Sequence, residues 1–218
     1  IEYGFNITAT RDIARNRDSL EKLSKIFSNF FFASIYLSFL IFVIFLILIF
    51  LIPRFNVFSY IYLSTIIFVI FKSLTPLWFF QGMEKMVYNT IIGGCTNLIY
   101  MLSIFSLVNQ REDFFLVPIL NAIASLTTFI FSILIIKFKF KINIEFQNPR
   151  QVINTLIKGR HIFIKNSFSY VNTSIINIIT LGFFFNTSSV GLYLITSKVI
   201  GVSLTFANLL SNTFLPFL

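Results

Sequence analysis

Long apolar runs separated by small clusters of charge dominate the chain. Uncharged stretches cover residues 26–53, 55–71, 86–110, 114–136 and 166–197. About 20 apolar residues in a helix cross a hydrocarbon core about 30 Å thick. The first, third and fourth runs therefore each predict one membrane span, and the second extends past Lys72 to Gly82 to predict another. The fifth run is too long for a single crossing and breaks at Phe185-Asn186-Thr187-Ser188-Ser189, a polar, turn-forming sequence. It predicts one span over 168–185 and another over 190–212 that contains Lys198. The pattern as a whole predicts an all-α polytopic membrane protein with about six spans.

The polar residues between the spans predict surface helices. Over 10–27, Ile13, Leu20, Leu23 and Phe27 recur at helical spacing, and Asp18–Lys22 and Glu21–Lys25 form i,i+4 pairs, so one amphipathic helix is expected ahead of the first span. Lys137-Phe138-Lys139-Phe140-Lys141 alternates cations with aromatic rings, as snorkelling lysines and interfacial phenylalanines do beside a span. Asn148 and Pro149 then suit the N-cap and first position of a second surface helix. Its apolar stripe is Val152, Ile153, Leu156 and Ile157, and Gly159 is its expected end. The expected organisation is a segment 1–27 with an amphipathic helix, four spans over 28–136, a connecting loop with a surface helix over 137–165, and two further spans over 166–218.

Six spans sort the connections into two sides. One side carries Arg54 and Arg111; the other carries thirteen of the seventeen basic residues, with Lys72 and Lys198 left aside because they fall within spans. By the positive-inside rule the basic side is cytoplasmic, and the outer connections are very short. The composition agrees: 56% of the residues are hydrophobic, 31 are Phe, and only 11% are charged, where soluble domains carry about 25%. The net charge of +9 would suggest nucleic acid on a soluble protein. Beside apolar spans it points instead to anionic lipid headgroups, with no nucleic acid as partner. The first residue is Ile and the last four end as abruptly, so a fragment lacking both ends is expected.

Little in the sequence suggests catalysis. It has no phosphate-binding glycine loop, no His-Glu-x-x-His and no pair of cysteines, since Cys95 is the only one. No catalytic residue, metal ligand or cofactor is therefore assigned. The single histidine, His161, reads as an ordinary loop residue.

Three stretches carry a family resemblance. Tyr3-Gly4-Phe5-Asn6-Ile7-Thr8-Ala9-Thr10-Arg11 resembles the segment after the second span of Wzx-type O-antigen flippases. Pro76-Leu77-Trp78-Phe79-Phe80-Gln81-Gly82-Met83-Glu84-Lys85-Met86 resembles that family's signature after the fourth span, carried here by Trp78, Gln81, Gly82, Glu84 and Lys85. Leu181-Gly182-Phe183-Phe184 followed by Val190-Gly191-Leu192-Tyr193 resembles the hairpin between its seventh and eighth spans. The resemblance implies membership of the multidrug/oligosaccharidyl-lipid/polysaccharide transporter superfamily, whose members have about twelve spans in two lobes. It also implies that an undecaprenyl-pyrophosphate-linked oligosaccharide is moved across the bacterial inner membrane by alternating access, for O-antigen or related polysaccharide. A proton or sodium ion as coupling ion, and polymerase and chain-length proteins as partners, would follow from the same pathway.

The diphosphate of such a substrate needs cations inside the membrane. Lys198, near the middle of its span, is the first candidate; Lys72, nearer the cytoplasmic third, and Arg11, at the cytoplasmic entry, are the others. Trp78 reads more readily as an interfacial belt residue than as a sugar platform. Asn97, Asn121, Asn172 and Asn177 could line a cavity or join helices. Two rivals stay open: a multidrug exporter of the same fold, which would want a carboxylate inside the membrane, and a membrane-integral polymerase or glycosyltransferase, which would want a large outer loop.

Overall fold

The computed structural model describes residues 3–52, 59–170, 176–184 and 187–214. They form α1 (Phe5–Ala14), α2 (Leu20–Leu51), α3 (Ser59–Leu74), α4 (Leu77–Gly82), α5 (Met86–Leu107), a 3₁₀ turn (Arg111–Phe115), α6 (Leu116–Phe138), α7 (Pro149–Tyr170), α8 (Ile176–Phe184) and α9 (Thr187–Phe214). No strand occurs among the described residues. Among the described residues four stretches are long and apolar enough to cross a membrane: Leu20–Leu51, Ser59–Gly82, Met86–Leu107 and Arg111–Phe138. The protein is a multi-pass, all-helical membrane protein. The predicted connection at 53–57 and the polar break at 185–186 lie outside the described residues, as does Asn172.

The chain divides into two compact units, residues 1–163 and 164–218. In the first, α6 packs against both α3 and α5, and α3 also packs on α2. The helices run alternately up and down. Phe27 near the start of α2 meets Trp78 and Phe79 beyond the end of α3, and Tyr88 at the start of α5 meets Phe140 beyond the end of α6. At the opposite end Tyr60 faces Phe115. Lys22, Lys25, Lys85, Lys137, Lys139 and Lys141 thus share one end of the bundle with α1 and α4.

Packing differs sharply along the bundle. At the basic end Phe27, Phe79 and Phe80 are fully buried, and Phe5, Phe30 and Trp78 are nearly so. Ring centroids there lie 5.2–5.9 Å apart, for example Phe5–Phe30 at 5.2 Å and Phe79–Phe80 at 5.9 Å. Farther along the spans Phe39, Phe50, Ile99, Phe105 and Phe131 point outward, as apolar side chains in lipid should. Helices meet there through hydroxyls: Ser38 and Ser73 lie 2.9 Å apart between α2 and α3, and Thr128 donates to Thr96 at 2.9 Å between α6 and α5. Apolar side chains gain little from each other where the solvent is itself apolar, so short polar contacts take over.

The helix expected over 10–27 is in fact two helices. α1 ends at Ala14, where Asn16 Nδ2 donates to the Asp12 carbonyl at 2.8 Å. Ser19 N-caps α2, its Oγ accepting from Lys22 N–H. The break separates Asp18 from Lys22, whereas Glu21 and Lys25, both in α2, pair at 2.6 Å. The surface helix α7 begins as expected, with Asn148 Oδ1 accepting from Arg150 N–H at 3.1 Å. It does not end at Gly159 but runs on to Tyr170. Gly159 sits inside it because a Cβ there would lie 3.0 Å from the Tyr3 carbonyl oxygen, so the N-terminal segment crosses directly over the glycine.

The second unit consists of the end of α7 with α8 and α9, the last two packed on each other. α9 covers the stretch expected as the sixth span, with a shorter apolar helix over Ser188–Ser203; the expected fifth falls partly on residues outside the description.

Candidate functional site

Two features meet at the basic end of the first unit: a clamp on α1 and a small polar cavity. The clamp is built from the Trp78–Lys85 stretch. Pro76 ends the preceding helical run, lacking the N–H that would continue it, and α4 starts after it. Thr10 on α1 donates to the Trp78 carbonyl at 3.3 Å and lies 3.4 Å from Gln81 Oε1. Gly82 is packed so closely that a Cβ would fall 2.6 Å from the Ile13 side chain. Arg17 Nε donates to the Gly82 carbonyl at 2.7 Å, and its Nη2 reaches Glu84 Oε1 at 2.8 Å. The guanidinium beside Glu84 holds that carboxyl below its ordinary value. Glu84 has φ of 55°, so the chain reverses sharply there before Lys85 N-caps α5. Gln81, Gly82 and Glu84 therefore seat α1 rather than line a binding surface.

Trp78 is buried rather than facing outward. It is 4% exposed, with its ring 5.4 Å from Phe27 and 5.7 Å from Phe30. Rings of α2 cover the indole, so it does not face outward as a belt residue would. Sequence reasoning treated this tryptophan alone, and the contacts that bury it come from fifty residues earlier in the chain.

The cavity has a volume of about 90 Å³ and is lined by Asn6, Lys72, Ser73, Thr75 and Trp78, with Phe5 and Leu77. It has room for several waters. Lys72 lies in the last turn of α3, and no carboxylate pairs with it among the described residues. Ser73 and Thr75 spend their hydroxyl hydrogens on helix carbonyls, Ile70 at 2.9 Å and Phe71 at 2.8 Å. Ser73 Oγ then accepts from Ser38 at 2.9 Å and each oxygen keeps acceptor capacity, while the ammonium and the Asn6 amide supply donors. Asn6, Ser73 and Thr75 were not among the sequence candidates. The signal available was their position, one flanking Lys72 on each side of Leu74 and one inside the Tyr3–Arg11 stretch.

The other predicted cations are elsewhere. Arg11 is exposed on α1, its Nε 3.5 Å from Asp12 Oδ1. Lys198 is exposed on α9 in the second unit. Asn97 is exposed and Asn121 half-buried in the spans; the Asn177 side chain lies outside the described residues. No group of three metal-ligating side chains occurs among the described residues.

Comparison with known proteins gives two matches. Residues 1–218 match the sequence profile of the family described as "Polysaccharide biosynthesis protein". The chain is 30% identical over 195 residues to the "Putative O-antigen transporter" of Escherichia coli (strain K12), an alignment covering 88% of this chain and 46% of that protein. The chain thus spans about half the length of this curated relative. No solved structure matches it. With the whole described sequence matched and its helices arranged as above, the chain belongs to the polysaccharide biosynthesis protein family.

Proposed function

We propose that this chain is part of a transporter that flips undecaprenyl-pyrophosphate-linked oligosaccharide across the bacterial inner membrane by alternating access, supplying O-antigen or a related surface polysaccharide. The basic end faces the cytoplasm, where anionic lipid headgroups meet its lysines. The protein is a carrier, not an enzyme; a proton or sodium gradient drives it, and the polymerase and chain-length proteins of the pathway act after it.

One observation carries the reading: Lys72, with no carboxylate partner among the described residues, stands in the wall of a polar cavity at the end of an apolar span. A lysine deep in lipid costs about 2.5–3.5 kcal/mol on insertion scales, less where it reaches the interface, so such a residue is kept for its charge. An ammonium beside hydroxyls and an amide suits an anionic diphosphate. Arg11 would meet the diphosphate at entry, and Lys198 is a further cation for it in the second unit. The multidrug rival is disfavoured because α3, α5, α6 and α9 contain no Asp or Glu and α2 only Glu21 in its first turn.

The test uses the full-length gene in its own host. Lys72→Ala and Lys198→Ala each reduce surface glycan at least tenfold with unchanged membrane levels of the protein, and Lys72→Arg restores most of the display. Wild-type glycan in both alanine variants would remove the cations from the mechanism. Accumulation of a cationic dye should be the same with and without the gene.

A further inference from the structure

A second and larger groove lies at the basic end, formed where the connection between α6 and α7 folds back on α2. Its volume is about 550 Å³, within the range of small-molecule sites. Its walls include Lys25, Asn29, Glu145, Phe146, Gln147 and Gln151. The backbone of the connection is tied in place there. Asn143 N–H donates to Ser24 Oγ at 3.2 Å, and Glu145 N–H donates to Ser28 Oγ at 2.9 Å. Ile142 and Gln147 are buried beside those ties, while Phe146 is 81% exposed, one edge against Phe32 of α2.

The chemistry of the lining is unusual for a membrane protein's basic end. Lys25 is already matched by Glu21 at 2.6 Å, and Glu145 adds a carboxylate. The groove therefore has no excess positive charge with which to select a phosphate, and too few acids to select a cation. What it has is side-chain amides, each carrying donors and an acceptor, a carboxylate that accepts two hydrogen bonds at once, and an exposed aromatic ring. Asn29 Oδ1 is buried with no hydrogen-bond partner among the described residues, leaving an unused acceptor in the wall. Neighbouring hydroxyls on a ring whose other face is hydrocarbon complement such a set: amides and carboxylate take the hydroxyls, and the aromatic ring covers the C–H face.

We propose that this groove binds the sugar portion of the lipid-linked glycan at the basic end, apart from the Lys72 cavity. The assignment rests on the translocation reading for its choice of ligand. Glu145 and Gln151 are the contacts to test, because both side chains are exposed and neither is part of the clamp on α1.

The probe is the free oligosaccharide released by mild acid from the host's own lipid-linked pool. It is added to the full-length protein in nanodiscs of zwitterionic lipid, with binding read by saturation-transfer NMR on the sugar protons. The wild type and Lys72→Ala give the same transfer, and Glu145→Ala combined with Gln151→Ala lowers it at least tenfold at an unchanged melting temperature. Equal transfer in the double variant, or none in the wild type, overturns the sugar site. Glycan display in cells separates the two claims. Lost display in Lys72→Ala with wild-type binding and display in the double variant sinks the groove alone. Normal display in both variants and in Lys198→Ala sinks the translocation reading instead.

Discussion

A Cβ placed on Gly82 would lie 2.6 Å from both Cβ and Cγ2 of Ile13 and 3.0 Å from the Thr10 carbonyl. The Thr10 oxygen is backbone, and Ile13 is fully buried, so neither can move aside cheaply. Gly82→Ala should therefore destabilise the protein by about 1–3 kcal/mol, as overpacking does. A lower melting temperature of the detergent-solubilised protein would show it; an unchanged one would mean that α1 is free to lift. The neighbouring Arg17–Glu84 pair makes a prediction about pH. Arg17 holds the Glu84 carboxyl below its ordinary value, so the folded chain keeps that group ionised at acidities where the unfolded chain has protonated it. The pair's contribution is present at neutral pH and is lost as pH falls through the lowered value. Glu84→Gln should lower the melting temperature at pH 7, with the difference from wild type closing under strong acid. A difference that persists there would assign the effect to the turn at φ 55° rather than to charge.

At the scale of elements, local signals were legible and remote contacts were not. The gaps between charges placed α5 and α6 within a few residues of where they run, and Asn148-Pro149 marked the start of α7. The missed break before α2 had a local signal too: Ser19 followed by Glu21 in the first turn is a helix start, and the run of apolar spacing across it hid the stop at Asn16. The close approach that calls for glycine at 159 was not legible locally, because it is made by Tyr3, more than 150 residues earlier. The same holds for Trp78, whose cover comes from α2. It holds also for the two serines of α2 that tie down the connection to α7. Ser28 Oγ serves both Glu145 N–H and, at 3.4 Å, the Asn143 carbonyl. Ser28→Ala should release the connection, each lost bond being worth about 0.5–1.5 kcal/mol. Faster amide hydrogen exchange over 143–147, with α5 and α6 unchanged, would be the sign; uniform acceleration would mean that the bundle itself had loosened.

For the whole molecule, the contrast between its two ends follows from the solvent at each. The aromatic core of Phe27, Phe79, Phe80 and Trp78 sits beside the basic residues, where water is present and burying apolar surface is rewarded. The spans leave large apolar side chains outward and join by hydroxyl contacts. That contrast, with the charge gaps, is what the sequence made readable; the cavity and groove were hidden because each joins side chains from two stretches far apart in the chain, 5–6 with 72–78 and 25–29 with 145–151. The orientation of the bundle can be tested directly. Asn109 follows α5 at the end where Asp113 Oδ2 accepts from the Asn109 and Gln110 N–H groups, and that tight turn carries little positive charge. Lys141 lies at the basic end. In a Cys95→Ser background, which removes the exposed thiol on α5, Asn109→Cys should react with a membrane-impermeant maleimide in spheroplasts. Lys141→Cys should react only after the inner membrane is opened, because anionic headgroups and the membrane potential both hold lysine-rich connections inside. The reverse pattern would invert the bundle and turn the Lys72 cavity and the amide groove away from the compartment where lipid-linked glycans are assembled. Labelling of both positions in sealed spheroplasts would mean that α6 does not cross the membrane.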